Sequence, residues 1–194
     1  MAEDLDEFED DHRVELTAEM RERRNAALAH VARWGNPVLR SQTREVTSFD
    51  KELAEQAERM ERIMDDAIGA GLAAPQVGSL KRMFIYRAER EGPARAVVNP
   101  VITWRSEDEE EDFEGCLSLN DVVVEVSRSV ELRLEAQDLE GKPFSIEAKG
   151  FEARVIQHEF DHLDGVLIVD RAERGQRRQA LRMLAEAASH DHSL

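Results

Sequence analysis

The chain has 194 residues, 41% of them apolar and 35% charged, which suits one domain with a sizeable core plus tails. Its 42 acids against 26 bases give a formal net charge of −16, a field that repels phosphate and argues against binding free nucleic acid. No apolar run approaches membrane-spanning length, and the acidic start Met1-Ala2-Glu3-Asp4 lacks a signal-peptide pattern, so no membrane association and a cytoplasmic location are expected.

Residues 1–11 hold seven acids and no base, and read as a solvated tail. Thr17 to about Arg33 has helix-forming composition, and Gly35-Asn36-Pro37 breaks it. Residues 1–33 are therefore expected to be an acidic N-terminal extension, partly disordered or loosely helical. Ser48-Phe49-Asp50 offers helix caps, and Leu53, Met60, Ile63, Met64, Ala67 and Ile68 recur at helical spacing. Gly69 and Gly71 are expected to end that helix. Met83–Tyr86, Val101–Trp104 and Val122–Val126 read as strands. Residues 107–114 carry seven more acids and no base, and residues 107–112 are expected to form a surface loop. Without the two acidic runs the chain holds 28 acids against 26 bases, so its body is nearly neutral.

Leu132, Leu134 and Ala136 alternate with charged residues, as in a half-buried strand. A turn over Asp138–Lys142 leads to its hairpin partner, Phe144 to Ala148. Phe151 to Leu163 reads as a helix stopped by Asp164-Gly165, Val166–Val169 as a short strand, and Arg171 to Ala188 as a final helix. Helices and hairpin-linked strands in this order predict an α+β fold.

His158-Glu159-Phe160-Asp161-His162 carries the clearest chemistry. On a helix, residues i and i+4 share a face, so both imidazoles can meet one cation. Glu159 sits one step round, where it can reach a water on that cation without being a ligand. A metallopeptidase would need a third ligand downstream; no histidine stands at the metzincin spacing, and Glu173 and Glu186 are available but sit in a charged segment. Cys116, the only cysteine, is the remaining candidate; on its own it reads more readily as a buried small apolar residue. A Cys-His-His site suits Fe(II), Zn(II), Co(II) or Ni(II), not Mg or Ca. The glycines of Gly69-Ala70-Gly71-Leu72-Ala73-Ala74-Pro75-Gln76 permit close approach to a ligand, and equally fit a helix end followed by a turn.

Together Gly69–Gln76, Glu114-Gly115-Cys116-Leu117-Ser118 and Gln157–His162 resemble the three motifs of the peptide deformylase family, G-x-G-x-A-A-x-Q, E-G-C-x-S and Q-H-E-x-D-H, in the same order. Gly35–Arg40 also resembles the family's early segment, and the resemblance spans roughly residues 34–170, the expected catalytic domain; 171–194 would be a C-terminal helix and tail. It implies antiparallel sheets packed around the helix that carries both histidines. It implies Cys116, His158 and His162 as ligands of Fe(II), with Zn(II), Ni(II) or Co(II) as replacements. It implies Glu159 as the catalytic acid–base, Gln76 and the Leu117 N–H as oxyanion donors, and Gly71 as a backbone contact for the substrate. That substrate would be the formylmethionine N-terminus of a nascent polypeptide, and related enzymes suggest ribosome contact through the basic C-terminal helix. The resemblance also suggests Arg128 as a partner of Glu114. One departure stands out: Asn120 occupies a position where family members often carry proline. Two readings compete: a zinc endopeptidase, which leaves Gly69–Gln76 and Glu114–Ser118 unexplained, and a catalytically silent metal or formyl-peptide binder, which has no need of both Glu159 and Gln76.

Overall fold

The structure, a computed structural model, describes residues 16–89 and 92–191; the acidic run over 1–11 lies outside the described residues. Helix α1 spans Ala18–Leu28, capped by the Thr17 hydroxyl, which accepts from Met20 N–H. It is shorter than the helix expected to Arg33, and its last apolar residues, Ala27 and Leu28, are buried against α2.

Helix α2, Lys51–Asp66, starts at Asp50, whose carboxylate accepts from Leu53 N–H. It buries Leu53, Gln56, Ala57, Met60, Ile63 and Met64, the stripe that helical periodicity marks. Its end corrects the expectation. Gly69 N–H bonds back to Met64 C=O and Ile68 N–H to Asp65 C=O, closing a Schellman turn. The left-handed residue of that turn is Ile68, at φ 60°, and not a glycine. A β-branched residue there stores strain.

The chain then forms β1 (Gly71–Ala73), β2 (Met83–Tyr86) and β3 (Arg95–Arg105). It continues through β4 (Glu109–Gly115), β5 (Val123–Ser129), β6 (Glu131–Gln137) and β7 (Pro143–Lys149). One sheet has the order β1-β2-β3-β6-β7, the other is the pair β4-β5, and every pairing is antiparallel. The acidic segment expected as a loop is thus largely strand β4, with Glu109 opposite Ser129 and Gly115 opposite Val123. Its side chains from Glu109 to Phe113 are exposed, so the charges stay solvated while β5 satisfies the backbone.

Helix α3, Gly150–Leu163, packs against β1, β2, β5, β6 and β7. Its buried face includes Ala153, Ile156, Gln157, Glu159, His162 and Leu163. Gly165, at φ 72°, ends this region; a side chain there would meet the Arg40 backbone at 2.8 Å. The strand expected over 166–169 is absent. Leu167, Ile168 and Val169 are buried in the short helix α4, Ile168–Arg171, where Asp170 accepts from Leu167 N–H. A short apolar run does not distinguish strand from buried helix, and here the Asp170 carboxylate closes the helical turn. Ala172 is extended, so the final helix is the separate α5, Arg174–Asp191. No helix among the described residues is long and apolar enough to cross a membrane.

Candidate metal centre

Both histidines rise from one face of α3, and Cys116 follows β4 directly. One ligand atom each from Cys116, His158 and His162 lies within 4.8 Å of the others. Cys116 Sγ and His162 Nε2 are 3.4 Å apart. Donors on one tetrahedral ion, at bonds of roughly 2.0–2.3 Å, stand about 3.5 Å from one another, so this donor set fits a small cation. One thiolate and two imidazoles favour a transition metal over Mg or Ca.

Behind His158 lies a saturated polar network. His158 Nδ1–H donates to Glu114 Oε2 at 3.0 Å, which directs Nε2 to the centre. Glu114 also accepts two bonds from Arg128, at 3.0 and 2.9 Å, and one from Arg154 at 2.9 Å. The suggested Arg128 partnership is therefore present, and it acts on His158. Arg128 reaches Asp161 at 2.6 Å, and Arg171 donates twice to the same carboxylate. Burial alone would raise the Glu114 carboxyl, but the His158 and Arg128 hydrogen bonds outweigh it and hold it at about 2. Burial opposes the His158 imidazolium, yet the neighbouring Cys116 and Glu114 raise its pKa well above the usual value.

In front of the imidazoles the balance reverses. Glu159 is 3% exposed, and its Oε2 has no hydrogen-bond partner among the described residues. Burial raises its pKa to about 7, partly opposed by His158. Its carboxylate lies against Gly71: a Cβ on Gly71 would fall 2.5 Å from Oε1. Only glycine admits this approach. His162 is likewise buried, with Nδ1 unpartnered among the described residues, and burial followed by the His158 charge pushes its pKa well down.

Gln76 stands on the other side of Cys116. Its Oε1 accepts from Ala73 N–H at 2.8 Å, which turns Nε2 towards Ser118 Oγ at 3.2 Å and Cys116 Sγ at 3.7 Å. Leu117 N–H makes no hydrogen bond among the described residues, and the Leu117 side chain packs on Gly69. Asn120 sits at φ 55°, a conformation closed to proline, and Arg33 donates to its side chain. The structure therefore brings all the anticipated site residues to one place. Sequence reasoning gave no role at this centre to Ser118, Arg154, Asp161 or Arg171, the last of which it assigned to the basic C-terminal helix. For Arg154 a signal existed: it precedes His158 by four residues and so shares its helix face.

These groups open into a cleft of about 730 Å3 lined by Gly71, Gln76, Cys116, Leu117, His158 and Glu159 among others. Its rim carries the exposed apolar side chains Ile68, Phe113, Val123 and Phe151.

A model of the polypeptide deformylase family matches residues 28–178. Peptide deformylase 1 of Corynebacterium glutamicum is 43% identical over 164 residues, covering 84% of this chain and 97% of that protein. The crystal structure of peptide deformylase from Thermotoga maritima superposes with a TM-score of 0.72 at 42% identity, covering 74% of this chain and 96% of the other. The peptide deformylase from Synechococcus elongatus in complex with actinonin gives 0.75 at 38% identity, covering 79% and 85%.

Proposed function

This chain belongs to the polypeptide deformylase family, and from that premise we propose that it removes the formyl group from the N-terminal formylmethionine of newly synthesised polypeptides, releasing formate. Its relatives are enzymes of this kind, and so is this chain. The observation that carries the reading is the meeting of Cys116, His158 and His162 beside Glu159, a buried carboxylate with one oxygen unpartnered among the described residues.

Cys116, His158 and His162 would hold Fe(II), with Zn(II), Ni(II) or Co(II) as replacements. When bound, the ion supplies Lewis acidity at the formyl group and brings the pKa of water towards neutrality. Glu159 takes a proton from the water that adds to the formyl carbon. It returns that proton to the amine nitrogen as the C–N bond breaks, so formate and a free N-terminus leave. Gln76 Nε2 and the Leu117 N–H donate to the oxyanion that develops on the formyl oxygen; one such donor is worth roughly 3–4 kcal/mol of barrier. Ala73 N–H holds the Gln76 amide in the donating orientation. Gly71 presents its backbone to the peptide and leaves room for Glu159.

The test is formate release from formyl-Met-Ala-Ser by Fe(II)-loaded protein kept from oxygen. Turnover is expected, and Glu159→Ala should abolish it without loss of metal. Failure of the loaded protein to release formate, or cleavage of unformylated peptides instead, overturns the reading.

The same reading includes the ribosome as a partner. Arg174, Arg177, Arg178 and Arg182 are exposed on α5, while Ala180 and Leu184 dock it on the body. Salt-sensitive co-sedimentation with ribosomes, lost when these arginines become Gln, is the expected result; binding unchanged in that variant dismisses this contact.

A further inference from the structure

Helix α1 supplies an unexplained cation to the cleft. Ala27 and Leu28 bury its inner face against α2, and Arg24 precedes them by three and four residues, on that same face. Residues 21–23, 25 and 26 are exposed, whereas Arg24 is half-buried and lines the cleft. Its guanidinium has no hydrogen bond or ion pair among the described residues. A docked helix face is normally apolar, and a cation on that face that lines a cleft is placed to meet an anion there.

The position of Arg24 is tied to the reacting groups. Just beyond α1, Ala32 N–H donates to Gln76 C=O at 2.7 Å and Trp34 N–H to Ser118 C=O at 2.9 Å. The other charges of the cleft do not claim it. Glu114 is taken by Arg128, Arg154 and His158. Asp112 accepts from Phe113 N–H and lies 4.0 Å from Arg154. Of the remaining acids that line the cleft, Asp121 is exposed and Glu159 packs against Gly71. The family match begins at residue 28, so Arg24 comes from outside the matched stretch.

We propose that Arg24 is a specificity-determining residue whose guanidinium receives a carboxylate of the formylated peptide. The proposal rests on the deformylase reading and names a preference within it. The apolar rim accepts the leading side chain, and Arg24 meets an acid further along the peptide. That acid is an Asp or Glu side chain, or the terminal carboxylate of a short formyl peptide. Charge-assisted donation from guanidinium to carboxylate supplies the discrimination.

Two matched pairs of substrates separate the sources: formyl-Met-Ala-Asp-amide against formyl-Met-Ala-Asn-amide, and formyl-Met-Ala-Ser as free acid against its amide. Rates are measured on the Fe(II)-loaded wild type, Arg24→Gln and Arg24→Lys. The wild type should show a KM about three- to tenfold lower for the carboxylate member of one pair, at equal kcat, an advantage that shrinks with salt. Arg24→Gln should erase it without changing KM for the neutral members, and Arg24→Lys should keep part of it. An advantage in the first pair assigns the side chain; in the second, the chain terminus. No advantage in the wild type, or one retained in Arg24→Gln, overturns the proposal. An equal loss on neutral peptides in Arg24→Gln also overturns it, because that marks a helix-docking role. If the wild type deformylates none of the four peptides, the deformylase reading fails, and this proposal with it.

Discussion

Glu114 and Glu159 are both buried carboxylates close to His158, yet their surroundings are opposite. Glu114 accepts from Arg128, Arg154 and His158, and is held near a pKa of about 2. Glu159 packs against Gly71 with one oxygen unpartnered among the described residues, and burial raises it to about 7. A fully satisfied network rigidifies what it touches. A buried carboxylate left under-bonded can instead exchange a proton near neutral pH. Under the proposed function, the region behind the imidazoles therefore holds them, and the carboxylate before them carries the proton.

Three variants sharpen or break this contrast. The largest effect is expected from Glu159→Gln: kcat should fall by about 10²–10⁴ while thermal stability is not lowered, because a neutral amide is easier to bury than an unpaired carboxylate. Steady-state deformylation and thermal unfolding of the same preparation check it; a variant that unfolds early yet turns over normally would make Glu159 a structural residue. Next is Glu114→Gln, which leaves Arg128 and Arg154 partly unpaired. Metal affinity should fall about 10–100-fold. Stability should drop by about 3–5 kcal/mol, the cost of breaking a buried charge network. Chelator competition and urea unfolding measure these two quantities, and unchanged affinity would detach Glu114 from the centre. Smallest is the joint change of Glu109, Glu110 and Glu111 to Gln on the exposed strand β4. Turnover should stay within about twofold, as for surface positions generally. A larger fall in turnover or metal uptake would show that the field of β4 reaches Cys116.

The elements legible in the sequence are those whose side chains face one core. The apolar stripe of α2 and the alternation of β6 and β7 report directly which face is buried. β4 is not legible, because its side chains are solvated and its strand character comes from pairing with β5. Ile68 is hidden for a related reason: local preference assigns the left-handed turn to Gly69, and the packing of α2 into β1 places it one residue earlier. α4 is not legible either, because Leu167, Ile168 and Val169 are apolar throughout and carry no period.

The groups of the candidate centre are legible in the chain: two imidazoles at helical spacing, a carboxylate between them, one thiol, and a glycine-rich segment ending in Gln76. Those depend on residue identity and short-range spacing, which the chain states outright. What surrounds each group follows from long-range packing. Gln76 and Cys116 are 40 positions apart, and Glu114 and His158 are 44 apart. Only the packing of α3 against β5 and β1 puts one carboxylate among arginines and the other against a bare glycine. The docking of α1 on α2 likewise decided that Arg24 enters the cleft. Burial and partner count set charge, orientation and proton affinity, and they arise from contacts that no local pattern encodes.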